Sequence, residues 1–161
     1  MNIPKKYVPD VLTNKDAKKQ KSYIKKSRKM YKTGKYFNRP KVKSYKTRKS
    51  RHVNKAKKVY NVDKVIPNKE LAKKTQCSLN TLEKIVNKGR GAYYSSGSRP
   101  NQSAESWGLA RLGSALTGGY SSVIDFHLLH EGCNHDGKAY KMAKQTCKKM
   151  GRCGKYLGDK Y

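Results

Sequence analysis

Acidic side chains are what this 161-residue sequence has least of: 10 Asp plus Glu stand against 39 Lys plus Arg, a formal net charge of +29. Long apolar runs are missing too. No stretch approaches the roughly 18 apolar residues that a membrane span needs, and the start of the chain lacks the apolar block of a secretory leader. With 35% hydrophobic and 30% charged residues, the chain is too polar to pack uniformly, so part of it should be solvated or held by a partner. Such a partner is strongly anionic, or the protein sits in an assembly that neutralises it.

Signatures of catalysis are equally scarce. There is no Gly-Lys-Ser/Thr phosphate loop before a helix, no nucleophile elbow and no paired-carboxylate spacing. Asp125, His127 and His130 are near one another and Glu105 is on a neighbouring helix. Residues two apart, however, point to different sides of a helix. Neither an enzyme nor a cofactor is expected. The four cysteines are even in number, but nothing signals secretion, so free thiols are expected rather than disulfides. His130, Cys133, His135, Cys147 and Cys153 could supply zinc ligands if the last helix folds back. The 147–153 spacing is wider than the usual zinc knuckle, and Cys147 suits a buried helix face. His130, Cys133, Cys147 and Cys153 are therefore weak metal candidates, and no metal site is expected.

The charge is concentrated at the front. Residues 1–60 hold 22 basic residues against Asp10 and Asp16, a net +20, whereas residues 61–161 carry +9. This predicts a basic arm over 1–60, extended or helical, attached to a helical domain over 61–161. Self-repulsion and scarce apolar side chains should keep the arm from building a core of its own. Within it, Thr13 to Asp16 reads as a helix N-cap, and Ala17, Ile24 and Tyr31 recur every seven residues until Gly34 ends the helix. From Tyr36 to Tyr60 periodicity fades, and Tyr36, Phe37, Tyr45 and Tyr60 interleave with basic residues. Lys41, Lys43, Tyr45, Lys46, Arg48, Lys49 and Arg51 are candidates for contact with nucleic acid or a protein partner. Ammonium groups would neutralise phosphates there, and the tyrosines would stack on bases or anchor in apolar pockets. The excess of Lys over Arg argues for sequence-independent contact, since base readout favours the arginine fork.

Beyond Val62 the pattern is helical. Pro67-Asn68 can start a helix over Lys69 to Thr75, and Ser78 can cap one from Leu79 to about Lys88, closed by Gly89. The pair has helix-turn-helix spacing, which would aim Asn80, Thr81, Lys84 and Asn87 at a major groove. The turn position that usually holds glycine is Gln76. Residues 88–102 read as a loop whose Arg90, Tyr93, Tyr94 and Arg99 suit phosphate or carboxylate capture, or else tie down a connector. Three further helices follow: one capped by Ser103, one capped by Ser121 or Ser122, and one from about Lys138 to Met150. Trp107, Leu112, Leu116, Ile124 and Leu128 are the expected core centre. The fold class is all-α, with about five short helices from residue 68 onward.

The run Gly89 to Gln102 (GRGAYYSSGSRPNQ), then Ser106 to Leu112 (SWGLARL) and Leu116 to Gly119, resembles a domain of unknown function encoded by nucleocytoplasmic large DNA viruses and some phages. The similarity extends upstream through Lys25 to Tyr31, Tyr36, Arg39-Pro40 and the Leu71 to Val86 helices. The resemblance carries no catalytic residues. It implies a viral setting and a small virion component. The expected role is thus a minor-capsid or cement-type protein on the inner side of the capsid, without a membrane span. Its basic arm would bind major and minor capsid proteins of the same virion. The alternative is a genome-condensing protein that contacts nucleic-acid phosphates without regard to sequence.

Overall fold

The computed structural model describes residues 2–158. A 3-10 turn at Lys5–Tyr7 precedes nine α-helices among these residues: α1 Asn14–Lys32, α2 Arg51–Tyr60, α3 Lys69–Thr75, α4 Leu79–Ser95, α5 Ala104–Leu116, α6 Tyr120–Ile124, α7 Phe126–Gly132, α8 Lys138–Lys149 and α9 Gly154–Leu157. The described residues form no strand, only an isolated antiparallel bridge between Cys77 and Cys133. The all-helical class read from the pattern is the class observed. No described helix is long and apolar enough to cross a membrane.

Local chemistry explains most helix starts. The Thr13 hydroxyl accepts from the Asp16 amide at 3.2 Å, Asn68 Oδ1 from Leu71 at 2.7 Å, Ser78 Oγ from Thr81 at 3.2 Å and Ser103 Oγ from Ser106 at 3.0 Å. Each satisfies an amide that the first helical turn leaves without a partner. Gly34, at φ +78°, follows the end of α1. Gln76 adopts φ 57°, the left-handed conformation for which glycine is preferred.

Three boundaries differ from the expectation. Helix α2, capped by Ser50, lies within the stretch that lacks clear periodicity, since it buries only Ala56 and Tyr60, a narrow stripe. Helix α4 does not stop at Gly89 but continues to Ser95, because Tyr93 on its last turns is buried. Tertiary burial there outweighs the roughly 1 kcal/mol that each interior glycine costs. The helix expected after Ser121 is broken at Asp125 into α6 and α7.

The helices fall into two compact units. One comprises the chain through Arg48 together with Lys88–Trp107; the other comprises Lys49–Asn87 and the chain from Gly108 onward. The front of the chain thus shares one unit with a segment from the middle of it, Lys88–Trp107. The second unit has the apolar core: Leu71, Leu82, Ile85, Leu112, Leu116, Phe126 and Leu129 are fully buried there. Full burial of each such side chain contributes about 1.5–3 kcal/mol. The Tyr60 hydroxyl donates to the Leu116 carbonyl, and burial holds its pKa far above the usual tyrosine range. Gly113 permits close approach, since a Cβ there would sit 2.8 Å from the His52 backbone. Trp107 is not in this core. It belongs to the first unit, half-buried, with its ring edge-on to Tyr7 at 6.0 Å.

All four cysteines are paired, Cys77 with Cys133 and Cys147 with Cys153, which corrects the expectation of free thiols. Cys77 and Cys133 each lie just past a helix end. There the Ser78 amide donates to the Gly132 carbonyl and the Asn134 amide to the Gln76 carbonyl, both at 2.8 Å. Only the fold brings these two turns together. After α8 the chain doubles back, the Arg152 amide donating to the Cys147 carbonyl at 2.8 Å, which carries Cys153 to Cys147. These pairings consume the sulfurs proposed as weak zinc ligands. His130 instead bonds Tyr140 through Nδ1 at 3.0 Å, and no metal-competent group of His, Cys, Asp and Glu occurs among the described residues.

Candidate nucleic-acid interface

The first unit solves the problem of building a body from a lysine-rich sequence by replacing apolar packing with buried hydrogen bonds. The inward stripe of α1 is Asp16, Gln20, Ile24 and Ser27, only one of them apolar. Gln20 Nε2 donates to the Tyr7 and Ser98 carbonyls at 3.1 and 3.4 Å. Asp16 Oδ2 accepts from the Ser44 amide at 2.8 Å and its hydroxyl at 2.6 Å. Those two bonds hold the Asp16 carboxyl below the ordinary carboxylate range.

Arg39 is the centre of this wiring. Its side chain is 8% exposed. Nη1 donates to Ser27 Oγ at 3.1 Å and to the Tyr93 carbonyl at 2.6 Å, and Nη2 to Ser98 Oγ at 2.7 Å. The guanidinium also lies 3.7 Å from the Tyr93 ring centroid, a cation–π contact strengthened by desolvation. Burial lowers its pKa, opposed by the neighbouring tyrosines. Both serine hydroxyls pass the network on, Ser27 donating to the Tyr94 carbonyl at 2.9 Å and Ser98 to the Arg99 carbonyl at 2.8 Å. No buried side-chain nitrogen or oxygen among the described residues lacks a partner.

With its polar stripe turned inward, α1 turns its charge outward. All eight of its lysines, from Lys15 to Lys32, are exposed. Five of them, Lys18, Lys21, Lys25, Lys29 and Lys32, follow one another at intervals of three and four and so form one stripe. At about 1.5 Å per residue this stripe is about 21 Å long. Acidic groups of the unit do not offset it. Asp10 pairs with Lys5 at 3.1 Å, Asp16 is bonded to Ser44, and Glu105 accepts from Arg90 Nε at 2.8 Å. At the end of α1, Tyr31 lies 6.2 Å from Tyr36, and Tyr36 lies 4.9 Å from Tyr94, between ring centroids.

Ser27, Arg39, Tyr93 and Ser98, which meet in the buried network, all lie in the segments that carry the sequence resemblance. A family model described as a family of unknown function, DUF5824, matches residues 4–124. The chain belongs to this family. The DUF5824 match covers nearly all of the first unit and ends at the last residue of α6; α7, α8 and α9 lie beyond it, with Cys133, Cys147 and Cys153. No curated protein and no solved structure matches the chain.

Within the DUF5824 segment the predicted contact residues scatter. Lys41, Lys43, Lys46, Arg48, Lys49 and Arg51 are exposed, whereas Tyr45 is half-buried. Its segment is held by Asn101, whose Nδ2 donates to the Val42 and Tyr45 carbonyls at 3.1 and 2.7 Å. Tyr93 is buried against Arg39 and cannot meet a partner, and Arg90 is held by Glu105. Tyr94 is half-buried, its hydroxyl donating to Asn38 at 2.8 Å; burial foremost raises its pKa. Arg99 is exposed. In the second unit Asn80 and Lys84 are exposed, but Thr81 is buried, its Oγ1 accepting from the Ser78 hydroxyl at 2.8 Å. Thr81 therefore leaves the groove-facing set. Asp125, noted beside His127 and His130 in the sequence, is wholly buried and takes a two-bond clamp from Arg111 at 2.7 and 2.8 Å. The α1 lysine stripe and Tyr36 went unmarked as site residues, although the three-and-four spacing of the lysines was visible.

Proposed function

We propose that this protein binds nucleic acid through its phosphates, without regard to base sequence, using the lysine stripe of α1. One observation carries the reading: α1 presents Lys18, Lys21, Lys25, Lys29 and Lys32 along one exposed line while the carboxylates of its unit are engaged internally. Like charges at i, i+4 each cost a helix about 0.2–0.5 kcal/mol. A polyanion laid along the stripe relieves that repulsion and releases its own condensed counterions. The polyanion we have in mind is a packaged genome inside a virion, because the chain resembles a domain encoded by large DNA viruses and some phages. The α3–α4 pair, with its helix-turn-helix spacing, would add Asn80 and Lys84 as supplementary contacts.

The minor-capsid reading leaned on an arm that takes its shape from neighbouring capsid proteins. Residues 2–48 are bonded to one another and to Tyr93 and Ser98 of the same unit through Asp16, Arg39 and Gln20, which weighs against an arm shaped only by its neighbours.

The test is the salt dependence of duplex binding by the full chain. Five phosphate contacts give a slope of about −4.5 in log K against log salt, so affinity falls about 500-fold between 50 and 200 mM. Replacing Lys21, Lys25 and Lys29 by Gln should flatten the slope by about 2.7 and leave the helical content unchanged. Binding insensitive to salt, or a slope unaffected by the triple substitution, refutes the assignment.

A further inference from the structure

We infer that Tyr36, with Tyr31 and Tyr94 beside it, is a stacking shelf for unpaired bases, so that the protein favours single-stranded over duplex nucleic acid. This rests on the phosphate-binding reading and adds a second kind of contact to it. Tyr36 is 66% exposed and Tyr31 38% exposed, unusual for rings that already have aromatic neighbours to pack on. The shelf is nevertheless built rather than loose. Tyr36 lies against Tyr94 at 4.9 Å, and Tyr94 lies edge-on to the buried Tyr93 at 5.0 Å, which Arg39 fixes from the other side. The Tyr94 hydroxyl is held by Asn38 at 2.8 Å. Tyr31 sits where α4 carries Gly91; a Cβ there would stand 3.8 Å from the Tyr31 hydroxyl.

Charge points to the occupant. Along the chain Lys32 follows Tyr31 at the end of α1 and Lys35 precedes Tyr36, and both lysines are exposed. An exposed aromatic ring bordered by ammonium groups offers a strand a face for a base and partners for its phosphates. In a duplex each base face is already covered by its neighbours, so the ring can stack only after the base is extruded, at a cost in unstacking. In a single strand the base face is available.

The experiment compares binding of the full chain to a thymidine 20-mer, an abasic 20-mer of equal charge and a 20-bp duplex, at one salt concentration. The wild type should bind the thymidine strand about 5- to 150-fold more tightly than the abasic one, the range that stacking one base contributes. Tyr36→Ala should erase most of that difference and leave duplex and abasic affinities unchanged within about twofold; Tyr36→Phe, which keeps the ring, should retain it. Equal affinity of the wild type for the thymidine and abasic strands, or tighter binding of the duplex than of the thymidine strand, overturns the shelf alone, as does a Tyr36→Ala variant that keeps the preference. Failure of the wild type to bind any of the three at low salt overturns the phosphate-binding reading and the shelf with it.

Discussion

Breaking the two disulfides separately should destabilise the protein by unequal amounts, and the ratio follows from topology. Cys77 and Cys133 are 56 residues apart, Cys147 and Cys153 only 6. In the chain-entropy description, a cross-link restricts the unfolded ensemble in proportion to the logarithm of the loop it closes. The long loop is then worth about 4 kcal/mol and the short one about 2 kcal/mol. The long-range link also joins two turns already paired through the Ser78 and Asn134 amides, so its removal leaves the native geometry supported while the unfolded chain gains freedom. The perturbation is Cys77→Ala/Cys133→Ala against Cys147→Ala/Cys153→Ala. The assay is urea unfolding followed by far-ultraviolet circular dichroism. At about 2 kcal/mol per molar urea, the first pair should lower the midpoint by about 2 M and the second by about 1 M. Added reductant should move the wild type toward the variants and leave a variant lacking all four cysteines unmoved. Four titratable thiols in the native oxidised protein, or a midpoint indifferent to reductant, would refute the reasoning.

Other expectations concern the buried polar groups. Arg39→Met should destabilise the first unit by about 3 kcal/mol, because it strands the Tyr93 carbonyl and removes the donors that the Ser27 and Ser98 oxygens accept from; a urea midpoint equal to wild type would count against the network. Arg111→Met leaves the Asp125 carboxylate buried without its clamp and should cost about 3–5 kcal/mol, much of it recovered by adding Asp125→Leu. Double-mutant unfolding measures that recovery, and additive losses would contradict it. Asp16 has a folded pKa below its ordinary value of 3.8, so its stabilising contribution is complete above that value and disappears as pH falls through the lower folded one. Asp16→Asn should therefore differ from wild type in thermal midpoint at neutral pH and converge with it in strong acid; a constant gap would remove the linkage. Screening of the α1 lysines should raise the thermal midpoint of the unliganded protein as salt increases from low ionic strength, and a falling midpoint would argue against self-repulsion.

Much of the fold was readable from local chemistry. Helices α1, α3 and α8 begin where Thr13, Asn68 and the Lys138 region placed them, since caps and apolar spacing act within a few residues. Even the oddity at Gln76 was visible as a glycine position without glycine, and the backbone there is left-handed. The candidate site was less legible. Lysine spacing along α1 was present in the letters, yet a stripe matters only when the opposite side of the helix is buried, and that burial depends on Ser44, Ser98 and Tyr7.

The sequence by itself determined the helical class, through caps and apolar spacing, and, through composition, the cationic surface and the shortage of apolar side chains at the front of the chain. Only the tertiary structure decided that this shortage does not leave the front unfolded. Apolar burial can be counted residue by residue, because its energy scales with area. A buried arginine or glutamine is favourable only if acceptors from distant segments reach it. For Arg39 those acceptors are 12 to 59 residues away. The cysteine pairing has the same character: whether Cys77 meets Cys133 is settled by where two turns 56 residues apart come to rest.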